Sequence, residues 1–196
     1  MSRWSTNQTR SPFLRLPQEV RARIYIYALG GNTITIGYET YRTSKEASSP
    51  AAQKVHPIFR YRSAVYSAHN LNPFKPQPPF IKKTHGLSLL NGICRQLYLE
   101  TATLPYTLNT LAFSSHNILA NFFLFEQRLT REQCDAITSV TLSDALPMPN
   151  LLVYLSGLQK VVLVDDLPGH PRGTYKVTRV KGKPPKLLNV RHVWGG

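Results

Sequence analysis

The chain has 196 residues, 42% of them apolar, and a formal net charge of +14. That length and apolar content suit one globular domain with an ordinary core and exclude a wholly disordered chain. No run of about 18 apolar residues occurs, so no segment reads as a bilayer-spanning helix, and no membrane partner is expected.

The charge is distributed unevenly. Residues 1–85 carry +10, residues 86–170 carry −3 and residues 171–196 carry +7. The expectation is a mildly acidic body with basic arms, either solvated or neutralising a polyanion, rather than a domain that reads a nucleic-acid groove. The opening MSRWSTNQTR lacks the apolar stretch of a secretory signal, so the expected home is the cytosol or nucleus. Cys94 and Cys134 lie in apolar helical patterns and read as reduced core thiols.

The first element predicted is a helix. Pro17 suits its first position, Glu19 its first turn, and Gly30-Gly31 supplies a left-handed stop. Leu16, Val20, Ile24 and Tyr27 recur at near-helical spacing, which predicts a buried stripe with Arg21 and Arg23 turned away. NTITIGYETY then alternates as a strand. Residues 42–83 are rich in Ser, Ala and Pro, with 6 of the 15 prolines between Pro50 and Pro79, and read as a long insertion. Within it Arg60 and Arg62 interleave with Phe59, Tyr61 and Tyr66, a pattern that either stacks on bases or pairs as an edge strand; an edge strand or loop is preferred.

Leu87, Leu90, Cys94, Leu97 and Thr101 trace the next helical stripe, broken or kinked at Pro105. TLAFSS reads as a short strand. Ser114 or Ser115 caps a helix with Ile118, Phe122, Phe125 and Leu129 on one face. Thr130 with Gln133 forms a capping-box pattern for one more helical turn. SVTLS, LPMPNLLVYLSGL and QKVVLVDD follow as strand, short helix and strand. The alternation predicts an α/β (or α+β) fold, a small parallel or mixed sheet covered by helices. The domain is placed at residues 11–170, with residues 171–196 as a basic tail or one edge strand around Tyr175, Val177 and Val180.

Chemical motifs are sparse. Asp165 and Asp166 end an apolar strand, but the phosphate cradle a magnesium pair would serve is missing, so they read as a turn. The histidines 56, 69, 85, 116, 170 and 192 do not fall at metal-ligand spacing. Neither Cys94 nor any serine sits in a recognisable nucleophile elbow. Arg95, Glu100 and Tyr98 could be taken as catalytic, but Arg95 and Glu100 read better as surface pairing or capping groups, and Tyr25, Tyr27 and the Phe122–Phe125 aromatics as core. The expectation is a non-enzymatic protein with no catalytic residue, metal or cofactor.

Two segments together, FLRLPQEVRARIYIYALGGNTITI and ICRQLYLETATLPYTLNTLAFSS, resemble the F-box-like domain of uncharacterised filamentous-fungal proteins. The matching residues are Leu16, Pro17, Glu19, Val20 and Arg21, then Cys94, Arg95, Gln96, Tyr98 and Glu100, then Leu104 to Thr110; the likeness runs from about Phe13 to Ser143. It implies an adaptor or scaffold whose opening helix docks on the small adaptor subunit of a cullin-based ubiquitin ligase. The chain departs from a full F-box where Gly30-Gly31, a strand and the insertion replace a compact second helix. Leu14, Leu16, Pro17, Val20 and Ile24 are the candidate docking residues, although an apolar helical face is ordinarily a core face. The alternative reading is a nucleic-acid-associated protein whose arms contact phosphates through Arg60, Arg62, Lys82, Lys83, Arg179, Lys181, Lys183 and Lys186.

Overall fold

Successive side chains of a strand point to opposite sides, so NTITI, TLAF and SVTL place their large apolar side chains on one face of a sheet and mostly hydroxyl side chains on the other, and KVVL places Val161 and Leu163 on the same apolar face. The computed structural model describes residues 11–43, 55–67, 72–74 and 94–190. In chain order the elements are α1 (Gln18–Leu29), β1 (Asn32–Thr43), β2 (Val55–Ser67), α2 (Arg95–Thr101), α3 (Leu104–Leu108), β3 (Thr110–Phe113), α4 (His116–Ala120) running into a π turn (Asn121–Phe125), α5 (Arg131–Asp135), β4 (Ser139–Leu142), α6 (Pro149–Tyr154), β5 (Lys160–Leu163), β6 (Gly173–Thr178) and β7 (Lys186–Val190). The fold is α/β.

The strands form one seven-stranded mixed sheet in the order β2-β1-β3-β4-β5-β6-β7. β1, β3, β4 and β5 run parallel, while β2 closes one side and β6 and β7 the other, all antiparallel to their neighbours. Register aligns Ile34, Leu111, Val140, Val161 and Tyr175 in one row and Ile36, Phe113, Leu142 and Leu163 in the next. All nine belong to the main buried cluster, with Leu119, Phe122, Phe123, Ile137, Leu151, Leu155 and Leu158 from the helices and their connections. The opposite parity carries Thr33, Thr110 and Ser139, then Thr35, Ala112 and Thr141.

Several local readings hold in detail. Thr130 and Gln133 exchange both bonds of a capping box, and the Ser115 side chain accepts from the Asn117 amide. The helix stops at Gly30, which is extended with its amide bonded to the Ile26 carbonyl, and Gly31 at φ 72° then turns the chain toward β1 with its amide bonded to the Leu108 carbonyl. Pro17 stands one position outside α1, whose first residue is Gln18. The Arg60–Tyr66 stretch is the edge strand β2. Cys134 is buried and Cys94 half-buried, both as free thiols.

Two expectations are corrected, and one left open is resolved. In α1 the buried residues are Arg21, Tyr25 and Leu29, not the stripe through Val20, Ile24 and Tyr27, because Arg21 finds its charge partner on α2. Downstream of α4, the Glu126 amide donates to the Asn121 carbonyl, a widened i to i+5 turn. That extra residue carries Phe122 and Phe123 inward and leaves Phe125 exposed, so the simple helical face is lost. Finally, of the basic tail or one edge strand expected after residue 170, the described part forms two strands, the β6–β7 hairpin, with Tyr175 and Val177 buried against the core. Leu87, Leu90, Lys82 and Lys83 lie outside the described residues.

Candidate protein-interaction site

The site is built on α1 and held by an ion pair between residues 79 positions apart. The Arg21 guanidinium grips the Glu100 carboxylate with two donors, Nε to Oε2 at 3.0 Å and NH2 to Oε1 at 2.6 Å. Its remaining donor reaches the carbonyls of Leu14 and Leu16, tying the turn before the helix to the same group. The Tyr25 hydroxyl donates to Glu100 Oε2 at 2.7 Å, and Gln96 Nε2 donates to Oε1 at 3.1 Å. Four donors from three side chains therefore converge on one carboxylate.

This network perturbs each member. The hydrogen bonds from Arg21, helped by those from Tyr25 and Gln96, pull the Glu100 carboxyl down to about 2 against the desolvation that opposes them. Burial, reinforced by the bond to Glu100, pushes the Tyr25 hydroxyl up, and the bond to Glu100 raises Arg21 despite its burial. Around the ion pair, Leu14, Tyr25, Leu29 and Leu97 form a second, smaller core with Phe13, Cys94 and Leu104 packed against it. The Phe13 ring meets Tyr25 edge-on at 5.7 Å.

With that side of α1 facing α2, the other side is open. Val20 is 41% exposed, Ile24 39%, Ile26 51% and Tyr27 87%. Leu16 is half-buried and Pro17 exposed beside them. Of the five proposed docking residues, the structure thus keeps Pro17, Val20 and Ile24 accessible, leaves Leu16 intermediate, and commits Leu14 to the small core. Ile26 is exposed as well, but two positions from Ile24 it lies off the row; Tyr27, assigned to the core from the sequence, is the most exposed of the row. The signal that could have found them is the Arg21/Tyr25 pair, since two groups able to hydrogen-bond a distant acid mark the other face of the helix as the buried one.

A family model described as a domain of unknown function, DUF7730, matches residues 6–160. The chain belongs to that family. No curated protein and no solved structure matches the chain. The DUF7730 match spans α1 through β4 and α6 to the first residue of β5, and both halves of the Arg21–Glu100 clamp lie inside it.

The remaining sequence candidates are dispersed. Arg60 and Arg62 both pair with Glu39 at 3.1 Å. The Arg179 guanidinium donates to the carbonyls of Leu158, Leu155 and Leu152 at 2.6, 2.8 and 3.1 Å, closing the end of α6. Lys181, Lys183 and Lys186 are exposed on the β6–β7 hairpin. Asp166 accepts from the Arg172 amide at 2.9 Å in the loop after β5. Among the described residues, no cluster of three or more His, Cys, Asp or Glu forms a metal-binding group. A groove of about 350 Å³ opens near the end of β3, between Thr35, Gly37, Arg62, Tyr66 and Phe74. Within it the Thr35 hydroxyl donates to the Ala64 carbonyl and Arg62 donates to Glu39.

Proposed function

We propose that the protein is a non-enzymatic interaction module of F-box-like type, an adaptor or scaffold whose helix α1 docks a protein partner. The small adaptor subunit of a cullin-based ubiquitin ligase is the partner of choice, and such a role belongs to the cytoplasm or nucleus. The observation that carries the proposal is the open row of Val20, Ile24 and Tyr27. Val20, Ile24 and Tyr27 are spaced i, i+4, i+7, the anchor pattern of a helix laid into an apolar groove. The buried Arg21–Glu100 pair supports the reading because it holds the helix in one rotational setting, so the row is presented without a folding step on binding.

The alternative, phosphate binding through basic arms, draws on the net charge of +14. Arg60, Arg62 and Arg179 already serve acceptors within the chain, which leaves the hairpin lysines as its support.

The test is a binding titration of the full chain against the purified ligase adaptor, with Val20→Asp and Ile24→Asp introduced together. Loss of binding with an unchanged circular-dichroism melt is the expected result. Both side chains are accessible, so the double variant remains folded. Binding that survives it refutes the face, and no binding by the unaltered chain refutes the partner.

A further inference from the structure

Strand β7 ends the sheet. It pairs with β6 on one side and, among the described residues, with no strand on the other. An edge strand presents unused N–H and C=O groups at strand spacing, a template for one more extended segment. Leu188, 54% exposed, and Val190, 40% exposed, fall on the same side of the strand, opposite Lys176 and Thr174 of β6. The edge therefore offers main-chain groups together with a two-residue apolar foothold.

Charge selects the occupant. Residues 171–190 hold six Lys or Arg and no acid. Arg172 pairs with Asp166 and Arg179 closes α6, while Lys176, Lys181, Lys183 and Lys186 are exposed. The hairpin bend is ordered: the Lys183 amide donates to the Val180 carbonyl at 3.0 Å, with Gly182 at φ 78°, the turn geometry that needs glycine at its third position. A second copy of the chain would set like charges against each other and is disfavoured. A nucleic acid would engage the lysines but would leave the main-chain edge, Leu188 and Val190 unused.

We propose that β7 is a docking edge for an acidic, extended peptide segment of a partner protein. The segment adds as an eighth strand, its main chain bonded to β7, its apolar side chains on Leu188 and Val190 and its carboxylates among the hairpin lysines. β6 and β7 lie beyond the residues matched by the family model, and the edge does not involve α1, so this proposal stands or falls separately from the helix-docking one.

The experiment titrates the full chain with a fluorescein-labelled Glu-Val peptide, Val-Thr-Val-Thr-Glu-Thr-Glu, read by anisotropy; when extended, its Val and Glu side chains share one face, as Leu188, Val190, Lys186 and Lys176 do on the sheet. The comparators are a Glu-Pro repeat of equal charge lacking main-chain N–H at alternate positions, a Lys-Val repeat, and single-stranded oligothymidine. The Glu-Val peptide is expected to bind at least about tenfold tighter than every comparator, since it alone combines charge with strand pairing. The triple variant Lys181→Glu, Lys183→Glu, Lys186→Glu is expected to lose at least about tenfold, with its melt unchanged, because cross-partner charge pairs are lost and reversed. Amide hydrogen exchange from Lys186 to Val190 slows in the complex. Equal binding of the Glu-Pro repeat, tighter binding of oligothymidine, an unaffected triple variant, or no binding of the Glu-Val peptide would each overturn the proposal.

Discussion

Replacing Glu100 by Gln removes one charge from the α1–α2 clamp while keeping a side chain of the same shape. Arg21 has a side chain only 8% exposed, so the substitution leaves its cation facing the Leu14 and Leu16 carbonyls and a neutral amide. Removing one partner of a buried pair costs about 3–5 kcal/mol, and the surviving acceptors argue for the lower end. The titration of Glu100 leads to a similar figure. Its carboxyl lies at about 2 in the folded chain against an ordinary 4.5, a depressed value. Its contribution is therefore fully present above pH 4.5 and is lost as pH falls toward 2; that interval corresponds to roughly 3 kcal/mol. Urea unfolding of both proteins, followed by circular dichroism at a series of pH values, checks both statements. The variant is expected to be less stable by about 3 kcal/mol at neutral pH, with the gap closing as the acid range is entered. Other titrating groups are common to the two proteins and cancel in the difference. A neutral-pH gap below about 1 kcal/mol, the range of an ordinary surface pair, or a gap that ignores pH would refute the clamp.

Two further outcomes test the packing. A Cβ on Gly157 would stand 1.7 Å from the Asp135 carbonyl oxygen, so Gly157→Ala must displace main chain at the end of α5. The expected loss exceeds about 3 kcal/mol in a thermal or urea melt, and a melt like that of the unaltered chain would contradict the close approach. Arg179→Ala strips three carbonyls at the end of α6 of their shared donor, for an expected loss of about 1–3 kcal/mol, with Arg179→Lys recovering only part because an ammonium lacks the planar fork. Full recovery by lysine would show that charge alone acts there.

The central strands and the capping box at Thr130 were legible because their signals are local: alternation over a few residues, or two side chains three positions apart. The setting of α1 was not. Its arginine looked like a solvent group by type, and only the approach of Glu100 makes burial of Arg21 favourable while releasing Val20 and Ile24 to the surface. The failure at Phe125 has a different cause, since one widened turn rotates every later side chain and composition does not announce it. The last residues were left between a basic tail and one edge strand because lysines dominate them and Tyr175 and Val177 are only two apolar positions; those two suffice once β5 offers an edge to pair with.

Residue order alone gave the uneven placement of charge, and it narrowed the class to α/β or α+β and located most of the central strands, since those follow from the backbone periods and turn preferences of short stretches. Tertiary structure decided which side of α1 is open, that the basic C-terminal segment adds two strands to the sheet, and that two motifs 79 residues apart meet at one carboxylate. Those outcomes depend on pairings between distant segments, and the free energy of burying a charge or an edge is defined only once its partner has arrived.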